Sequence, residues 1–340
     1  MTSPLARSSS MRQLLFSLLA AAAVCSAQVP KPPWAGGTAP ARKPAVAGAS
    51  NPDDTAKNSD ANIKVDVKLV NVFVTVTDDH GAPVGGLAKA NFELLEDGQP
   101  QSISVFDKES ALPLSIVMDI DTSLSTRKDL SLELTSARRF AHAILRPVDA
   151  LCLYEFSETV DEIVPFTADL KSIDRGIDRT RSGAATALYD AIYLSAQAVD
   201  RRQGRKVMVI ITDGGDTVSR VDYQEAVRAA QEAEVIVYSI IVVPIEASAG
   251  RDTGGEHALI QISEDTGGKY FYATTVPELD EAFRKISDEL RTQYLLAYYP
   301  AQHSSDSNLR RIDVKVTGTG ASPAFVVRHR TGYYTHKSRF

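Results

Sequence analysis

Between Leu114 and Leu290 the chain alternates short, continuously apolar runs with longer amphipathic segments, and no other feature of the sequence restricts the fold as strongly. The apolar runs are Leu114 to Met118, Leu151 to Phe156, Val207 to Ile211, Val235 to Val243 and Tyr270 to Tyr272. Runs without polar alternation suit strands covered on both faces, which are strands of a mostly parallel sheet wrapped by helices. The amphipathic segments supply the helices: Lys128 to Leu145, Leu170 to Ile177, Ala187 to Gln203, Tyr223 to Ala233, His257 to Asp265 and Pro277 to Leu290. In the third, Leu188, Ile192 and Val199 share a stripe with Ala191 and Ser195. Gly204 is expected to cap its C-terminus, after Arg201 and Arg202 complement the helix dipole. The pattern predicts a Rossmann-like α/β domain over residues 110–292.

On either side the periodicity changes. Ile63 to Thr77 alternates apolar and polar residues before turning more continuously apolar, as a strand does. The turn signal Asp79-His80-Gly81-Ala82-Pro83 follows, then strands near Phe92 to Leu95 and Gln101 to Phe106 separated by the hairpin signal Asp97-Gly98. So few strands need partners, and Gln293 to Tyr299, Leu309 to Thr317 and Phe325 to Arg330 can supply them. The expectation is a small antiparallel β-sandwich from residues 63–109 plus 293–336, with the α/β domain inserted between its halves. Tyr294, Tyr298, Tyr299, Tyr333 and Tyr334 are assigned to its core and edge packing.

The N-terminus reads as an export signal over residues 1–27: Arg7 and Arg12 precede the apolar run Leu14 to Val24, and small Ser26 and Ala27 precede Gln28. That run is about half the roughly 20 residues a spanning helix needs, so no transmembrane helix is expected after signal cleavage. Residues 28–62, rich in Pro, Ala, Gly, Lys and Asn, read as a disordered linker. The protein is therefore expected to be exported, to the periplasm or the cell surface. Cys25 follows Val24 where a lipoprotein signal wants a small residue, so it is read as discarded with the signal. Cys152, in an apolar run, reads as an inert core thiol with no cysteine to pair with. A net charge of −6 argues against a nucleic-acid partner.

Carboxylates and hydroxyls converge at one edge of the predicted sheet. The first apolar strand ends in Asp119-Ile120-Asp121-Thr122-Ser123-Leu124-Ser125, and another ends in Thr212-Asp213-Gly214-Gly215-Asp216. Between them the loop Gly183-Ala184-Ala185-Thr186 opens a helix and is expected to offer a hydroxyl beside two freed backbone amides. The carboxyl edge of an open α/β sheet is where such folds bind ligands. Singly, these residues make ordinary caps and turns; together they present only oxygen donors. Asp119 is either a strand residue or a support behind the ligands. Asp216 is read as a loop polar group and Asp190 as support for a helix start.

Asp121, Ser123 and Ser125 resemble the D-x-S-x-S motif of von Willebrand factor type A domains, and Thr186 and Asp213 match that motif's remaining threonine and aspartate. Thr186-Ala187-Leu188-Tyr189-Asp190-Ala191-Ile192 and Glu264-Asp265-Thr266-Gly267-Gly268-Lys269-Tyr270-Phe271 are also family-like. The signal, the flanking β segments and Thr331-Gly332-Tyr333-Tyr334 resemble the exported VWFA-related Acidobacterial domain group. The resemblance implies that Asp121, Ser123, Ser125, Thr186 and Asp213 form a metal-ion-dependent adhesion site. It departs from the pattern at Leu124 and Ala185, each standing where the family commonly has Gly. Mg²⁺ suits an all-oxygen set with two carboxylates, with Mn²⁺ or Ca²⁺ as alternatives. An ion held largely by neutral direct ligands stays electrophilic, so the implied partner is a protein presenting an Asp or Glu carboxylate.

Two rivals remain. Asp119-Ile120-Asp121-Thr122 also resembles the first motif of Mg²⁺-dependent haloacid-dehalogenase-like phosphatases, with Asp119 as nucleophile, but Asp216 and Asp222 are badly spaced for the later acidic pair. A structural envelope protein with a purely stabilising metal is the other. No Walker loop, G-x-S-x-G or dinucleotide fingerprint occurs, Gly267-Gly268 reads as a helix-to-strand turn, and the six histidines are scattered and read as surface residues. A non-enzymatic binding protein is the favoured reading.

Overall fold

The computed structural model describes residues 69–108, 112–124, 126, 130–243, 253–301, 309–317 and 325–335. The expected signal and linker, Cys25, Ser125, His303 and His336 lie outside the described residues. The chain begins with β1 (Val70–Thr77), β2 (Phe92–Glu96), β3 (Gln99–Pro100) and β4 (Ile103–Lys108). There follow β5 (Leu114–Asp121), α1 (Leu130–Ile144), β6 (Ala150–Phe156), β7 (Val160–Thr167), α2 (Leu170–Ile177), α3 (Leu188–Asp200) and β8 (Arg205–Thr212). Then come α4 (Tyr223–Glu232), β9 (Ile236–Val242), α5 (Thr253–Asp265), β10 (Lys269–Ala273) and α6 (Val276–Thr292). The chain finishes with β11 (Tyr294–Tyr298), β12 (Leu309–Val316), β13 (Val326–Arg328) and β14 (Gly332–Tyr334).

The fold is a Rossmann-like α/β core joined to a smaller antiparallel sandwich whose strands come from both sides of it. The central six-stranded sheet has the order β10-β9-β8-β5-β6-β7 and is parallel except for β7. Its strands are apolar on both faces because both are covered. Leu114, Ile116, Met118 and Ile120 of β5 pack with Phe140 of α1, Ile173 of α2 and Phe283 of α6 on one side. Val117 of the same strand packs with Ile192 of α3, Ala229 of α4 and Leu259 of α5 on the other. The chain leaves β5 for α1 on the first face and β8 for α4 on the second. The crevice between these two neighbouring strands is thus the topological switch point of the sheet.

In the sandwich, one sheet has the order β13-β1-β11-β4 and the other β14-β12-β2-β3. Val72 and Val74 of β1, Leu296 of β11, Leu94 of β2 and Val314 of β12 meet in its core. The β2–β3 hairpin turns on Asp97 (φ 48°) and Gly98 (φ 78°), both left-handed, as a two-residue turn matching strand twist requires. Tyr294 and Tyr298 are buried there, in keeping with the packing role expected of them.

Four readings need correction. β7 was not expected: Asp161, Glu162 and Pro165 interrupt its apolar pattern, which an edge strand tolerates because one face and one hydrogen-bonding side are free. β14 was not foreseen as a strand either, and it pairs with β12. Gly204 does not cap α3, which ends at Asp200 with Arg201 as its cap. Gly204 instead takes a left-handed φ of 89° where a side chain would strike the Pro113 carbonyl, letting Arg205 N–H reach that carbonyl at 2.9 Å. Arg202 correspondingly bonds Ser115 rather than the helix end. Lastly, His329 is no surface residue: it is partly buried, accepts the Val314 N–H at 3.1 Å through Nε2, and lies with Nδ1 2.8 Å from the Arg330 carbonyl.

Candidate functional site

Asp121 ends β5 at the switch point, fully buried. Its Oδ1 accepts the Ser123 N–H at 2.8 Å and its Oδ2 accepts the Thr212 hydroxyl at 2.6 Å, so the ends of β5 and β8 are joined through one carboxylate. The Gly214 N–H donates to the Thr212 oxygen at 3.1 Å, which leaves the hydroxyl hydrogen for Asp121. Burial pushes Asp121 up to about 6; hydrogen bonds from Thr212 and Ser123 oppose the shift, and the negative charge of Asp213 adds to it. Asp213 is thus an electrostatic neighbour of Asp121, and it is half-buried.

Thr186, also buried, belongs to the same edge through backbone ties. Gly183 N–H bonds the Thr122 carbonyl at 2.8 Å and Ala187 N–H the Ser157 carbonyl at 2.7 Å, fastening the Thr186 loop to the ends of β5 and β6. Thr217 N–H donates to the Thr186 carbonyl at 2.8 Å and Thr186 N–H to the Thr217 hydroxyl at 2.9 Å, fastening it to the loop after β8. Asp121, Ser123, Thr186 and Asp213 therefore lie on three mutually bonded loops at one sheet edge. Ser125 lies outside the described residues.

The two amides expected to be free beside Thr186 are not. Glu158, just after β6, accepts Ala184 N–H at 2.7 Å and Ala185 N–H at 3.4 Å on one carboxylate oxygen. These amides hold the Glu158 carboxyl below its usual range. Gly183 is required here, because a side chain would collide with Ser157 and Glu158. Sequence reasoning missed Glu158 and Thr217, and noted Thr212 only as part of the strand-end run, not as the partner of Asp121. Only Thr212, directly before Asp213 at a strand end, carried a readable signal.

Asp119 is buried behind this edge, on the same face of β5 as Asp121, and accepts the Ser195 hydroxyl of α3 at 2.5 Å. Burial pushes its carboxyl up to about 8. Asp190 accepts the N–H groups of Arg220 (2.9 Å) and Val221 (3.0 Å), while Asp216 accepts the Tyr189 N–H (3.3 Å) and Ser219 hydroxyl (2.5 Å). Both aspartates bind the loop after β8 to the first turn of α3. Cys152 is buried, and burial raises its thiol pKa.

Among the described residues, the group of three acidic or imidazole side chains close enough to share an ion is Asp78, Asp79 and His80, on the turn after β1. Asp78 already accepts His80 N–H (2.9 Å) and Ala82 N–H (2.8 Å) to hold that turn. The cluster is explained by the turn it shapes.

A doubly wound α/β core thus carries Asp121, Ser123, Thr186 and Asp213 on the loops at its switch point. The family model for the von Willebrand factor type A domain matches residues 115–285, half of the chain, and the chain belongs to that family. Among solved structures, it is similar to the conserved hypothetical protein BatB from Bacteroides thetaiotaomicron, at 21% identity over 53% of this chain and 100% of that one, with a TM-score of 0.43. It is also similar to the PilB minor pilin from Streptococcus sanguinis, at 14% identity over 54% of this chain and 62% of the pilin (TM-score 0.42). A von Willebrand factor type A protein from Catenulispora acidiphila matches at 11% identity over 76% of this chain and 73% of that one (TM-score 0.46). The curated proteins contain no match.

Proposed function

We propose that this is an exported binding protein that engages a protein partner through a Mg²⁺-dependent adhesion site made of Asp121, Ser123, Ser125, Thr186 and Asp213. The observation that carries the reading is the buried Asp121 carboxylate, held by Ser123 and Thr212 with the charge of Asp213 against it. Two mutually repelling carboxylates among neutral hydroxyls suit a small divalent cation. Asp121 and Asp213 would hold the ion directly or through water, and the hydroxyls of Ser123, Ser125 and Thr186 would complete its oxygen shell. When bound, the ion supplies an electrophilic position for an Asp or Glu carboxylate of the partner. Mn²⁺ or Ca²⁺ would substitute.

The protein is a binding module and not an enzyme. The phosphatase alternative needs Asp119 as nucleophile, yet that carboxyl is sealed beneath Ser195 and has no exposed surface. No described helix is long and apolar enough to cross a membrane. We assign the chain to the exported VWFA-related Acidobacterial domain group, acting in the periplasm or at the cell surface. The assignment rests on the signal-like residues 1–27, the linker 28–62, the sandwich 63–109 plus 293–336 around the domain 110–292, and the Thr331–Tyr334 phrase.

The test is calorimetric titration with Mg²⁺, followed by capture from envelope extract in Mg²⁺ or EDTA. Wild type should bind the ion and retain a partner only with Mg²⁺, and Asp121→Ala should lose both while keeping its circular dichroism spectrum. Equal retention by wild type and Asp121→Ala would overturn the adhesion site. Mg²⁺ binding that raises stability, with capture indifferent to EDTA, would establish the stabilising-metal reading instead.

A further inference from the structure

A cavity of about 40 Å³ lies where the sandwich meets the starts of β8 and β9, at the opposite edge of the central sheet from Asp121. Asn71 and Phe73 of β1, with Arg330 between β13 and β14, line it from the sandwich. Lys206 of β8, Ile236 of β9 and Glu234, just after α4, line it from the core. One water occupies roughly 10–15 Å³ on this measure, so the space takes about three heavy atoms, the size of a carboxylate group.

Arg330 sets the chemistry of this space. The residue is 9% exposed, and its guanidinium is fixed on two sides. Nη2 donates to the Asn71 carbonyl at 2.6 Å, and the group lies over the Tyr333 ring, 5.5 Å from its centre. Nε and Nη1 are buried without a hydrogen-bond partner, and buried N–H groups of a cation are costly to leave so. The Glu234 carboxylate stands 3.7 Å from Nη1, which makes an ion pair but is too far for a hydrogen bond. Glu234 adopts a left-handed φ of 57° at the position after the α4 cap, where glycine is usual, and its side chain is 31% exposed. Lys206 is engaged elsewhere, with Nζ donating to the Asp200 carbonyl at 3.2 Å and the Ala233 carbonyl at 2.9 Å, so it offsets the negative ends of α3 and α4.

The lining therefore carries two positive charges against one, two N–H groups in need of acceptors, and apolar Phe73 and Ile236. We propose that this cavity binds a free small carboxylate such as acetate, which supplies acceptors to Arg330 while the half-exposed Glu234 side chain turns out to solvent. Phosphate is too large for the space, and a single chloride brings no second acceptor atom. An occupant touching Arg330 and the end of α4 would fasten the sandwich to the core. The site is independent of the adhesion-site reading.

The probe is sodium acetate, titrated into the full chain and followed on the Arg330 Nε–H resonance by nitrogen-15 NMR, with sodium chloride and sodium phosphate at matched ionic strength. Acetate alone should give a saturable shift. Glu234→Gln, which removes the competing charge, should bind acetate about threefold more tightly. Acetate should also raise the thermal midpoint of wild type more than that of Arg330→Gln, with circular dichroism checking the fold of both variants. If Arg330→Gln does not fold, the resonance in wild type and Glu234→Gln decides. No saturable shift in either protein would mean that the cavity holds water only, and an equal response to all three salts would mean an adventitious ion only; both overturn the proposal. Equal acetate affinity in wild type and Glu234→Gln would overturn the exchange with Glu234 on which it rests.

Discussion

Glu158 shows how one exposed carboxylate can decide where another residue's hydroxyl stands. By accepting Ala184 N–H and Ala185 N–H it fixes the backbone immediately before Thr186, and Gly183 lets the chain pass close enough for it to do so. Groups that orient a ligand residue commonly shift metal affinity by ten- to a hundredfold. Under the proposed adhesion site, Glu158→Ala is expected to weaken Mg²⁺ binding about tenfold, with Glu158→Gln intermediate because a single uncharged carbonyl oxygen accepts the same two amides more weakly. Calorimetry on both variants would show this, and an unchanged affinity in Glu158→Ala would mean that the loop holds itself. His329 gives a second prediction at this scale. Burial lowers its pKa below 6.5, outweighing the hydrogen bond to the Arg330 carbonyl and the charge of Asp313, which raise it. The unfolded chain therefore binds a proton before the folded one does. The stability tied to neutral His329 is complete above pH 6.5 and is lost as pH falls through that value toward the folded-state pKa. Thermal unfolding from about pH 7.5 to 5.5 should show wild type losing more stability than His329→Gln. Parallel profiles would remove His329 as the cause. The comparison is between variants because the buried Asp119 and Asp121 add their own slope, of opposite sign, to both.

At the scale of elements, α1 and α6 are locked together through Phe140 and Phe283, whose rings stack at 4.7 Å and 24° against the sheet. Phe283 is fully buried, so Phe283→Ala leaves a cavity that neighbours on a rigid sheet cannot fill. A loss of about 3–5 kcal/mol is expected, read as a shifted denaturation midpoint with an unchanged slope. A loss under about 1 kcal/mol would mean that the helix pair repacks. Pairs of this kind explain why the helices and inner strands were legible in the sequence. Leu170 to Ile177 carries a stripe whose period only a helix satisfies, and Val207 to Ile211 is apolar throughout because helices cover both faces. β7 was illegible for the converse reason, since an edge strand is half solvated and reads like a loop. Within the site, Asp121, Ser123, Thr186 and Asp213 could be gathered in advance from strand ends and a family resemblance. Glu158 and Thr217 could not. They act through backbone amides of other loops, and a backbone amide leaves no mark in a sequence.

For the molecule as a whole, the decisive feature is that the sandwich and the α/β core grip each other through the C-terminal segment. The described residues, from 69 onward, fall within one compact unit. β11 follows α6 with only Gln293 between them and lies between β1 and β4, so the first half of the sandwich cannot be completed until the core has been crossed. Arg328 of β13 then reaches back to Glu289 of α6 at 2.6 Å, Thr331 N–H bonds the Asp265 carbonyl at 2.9 Å, and Arg330 bonds the Asn71 carbonyl at 2.6 Å. Glu289 is almost wholly buried. Attraction within a buried ion pair is largely offset by the desolvation of both charges, but removing one partner strands the other in a medium that cannot solvate it, which typically costs about 3–5 kcal/mol. Arg328→Ala should therefore destabilise the protein by about that much, whereas Arg328→Ala with Glu289→Leu should recover most of the loss by removing the stranded charge. Scanning calorimetry separates the consequences. Wild type should unfold in one transition, as coupled halves do. Arg328→Ala should lower its midpoint or split it in two if this contact is the principal coupling. A wild type that already melts in two steps would show that the sandwich and the core are independent. A double variant no better than the single one would show that Arg328 acts through its bond to the Gly268 carbonyl at 2.8 Å and not through Glu289.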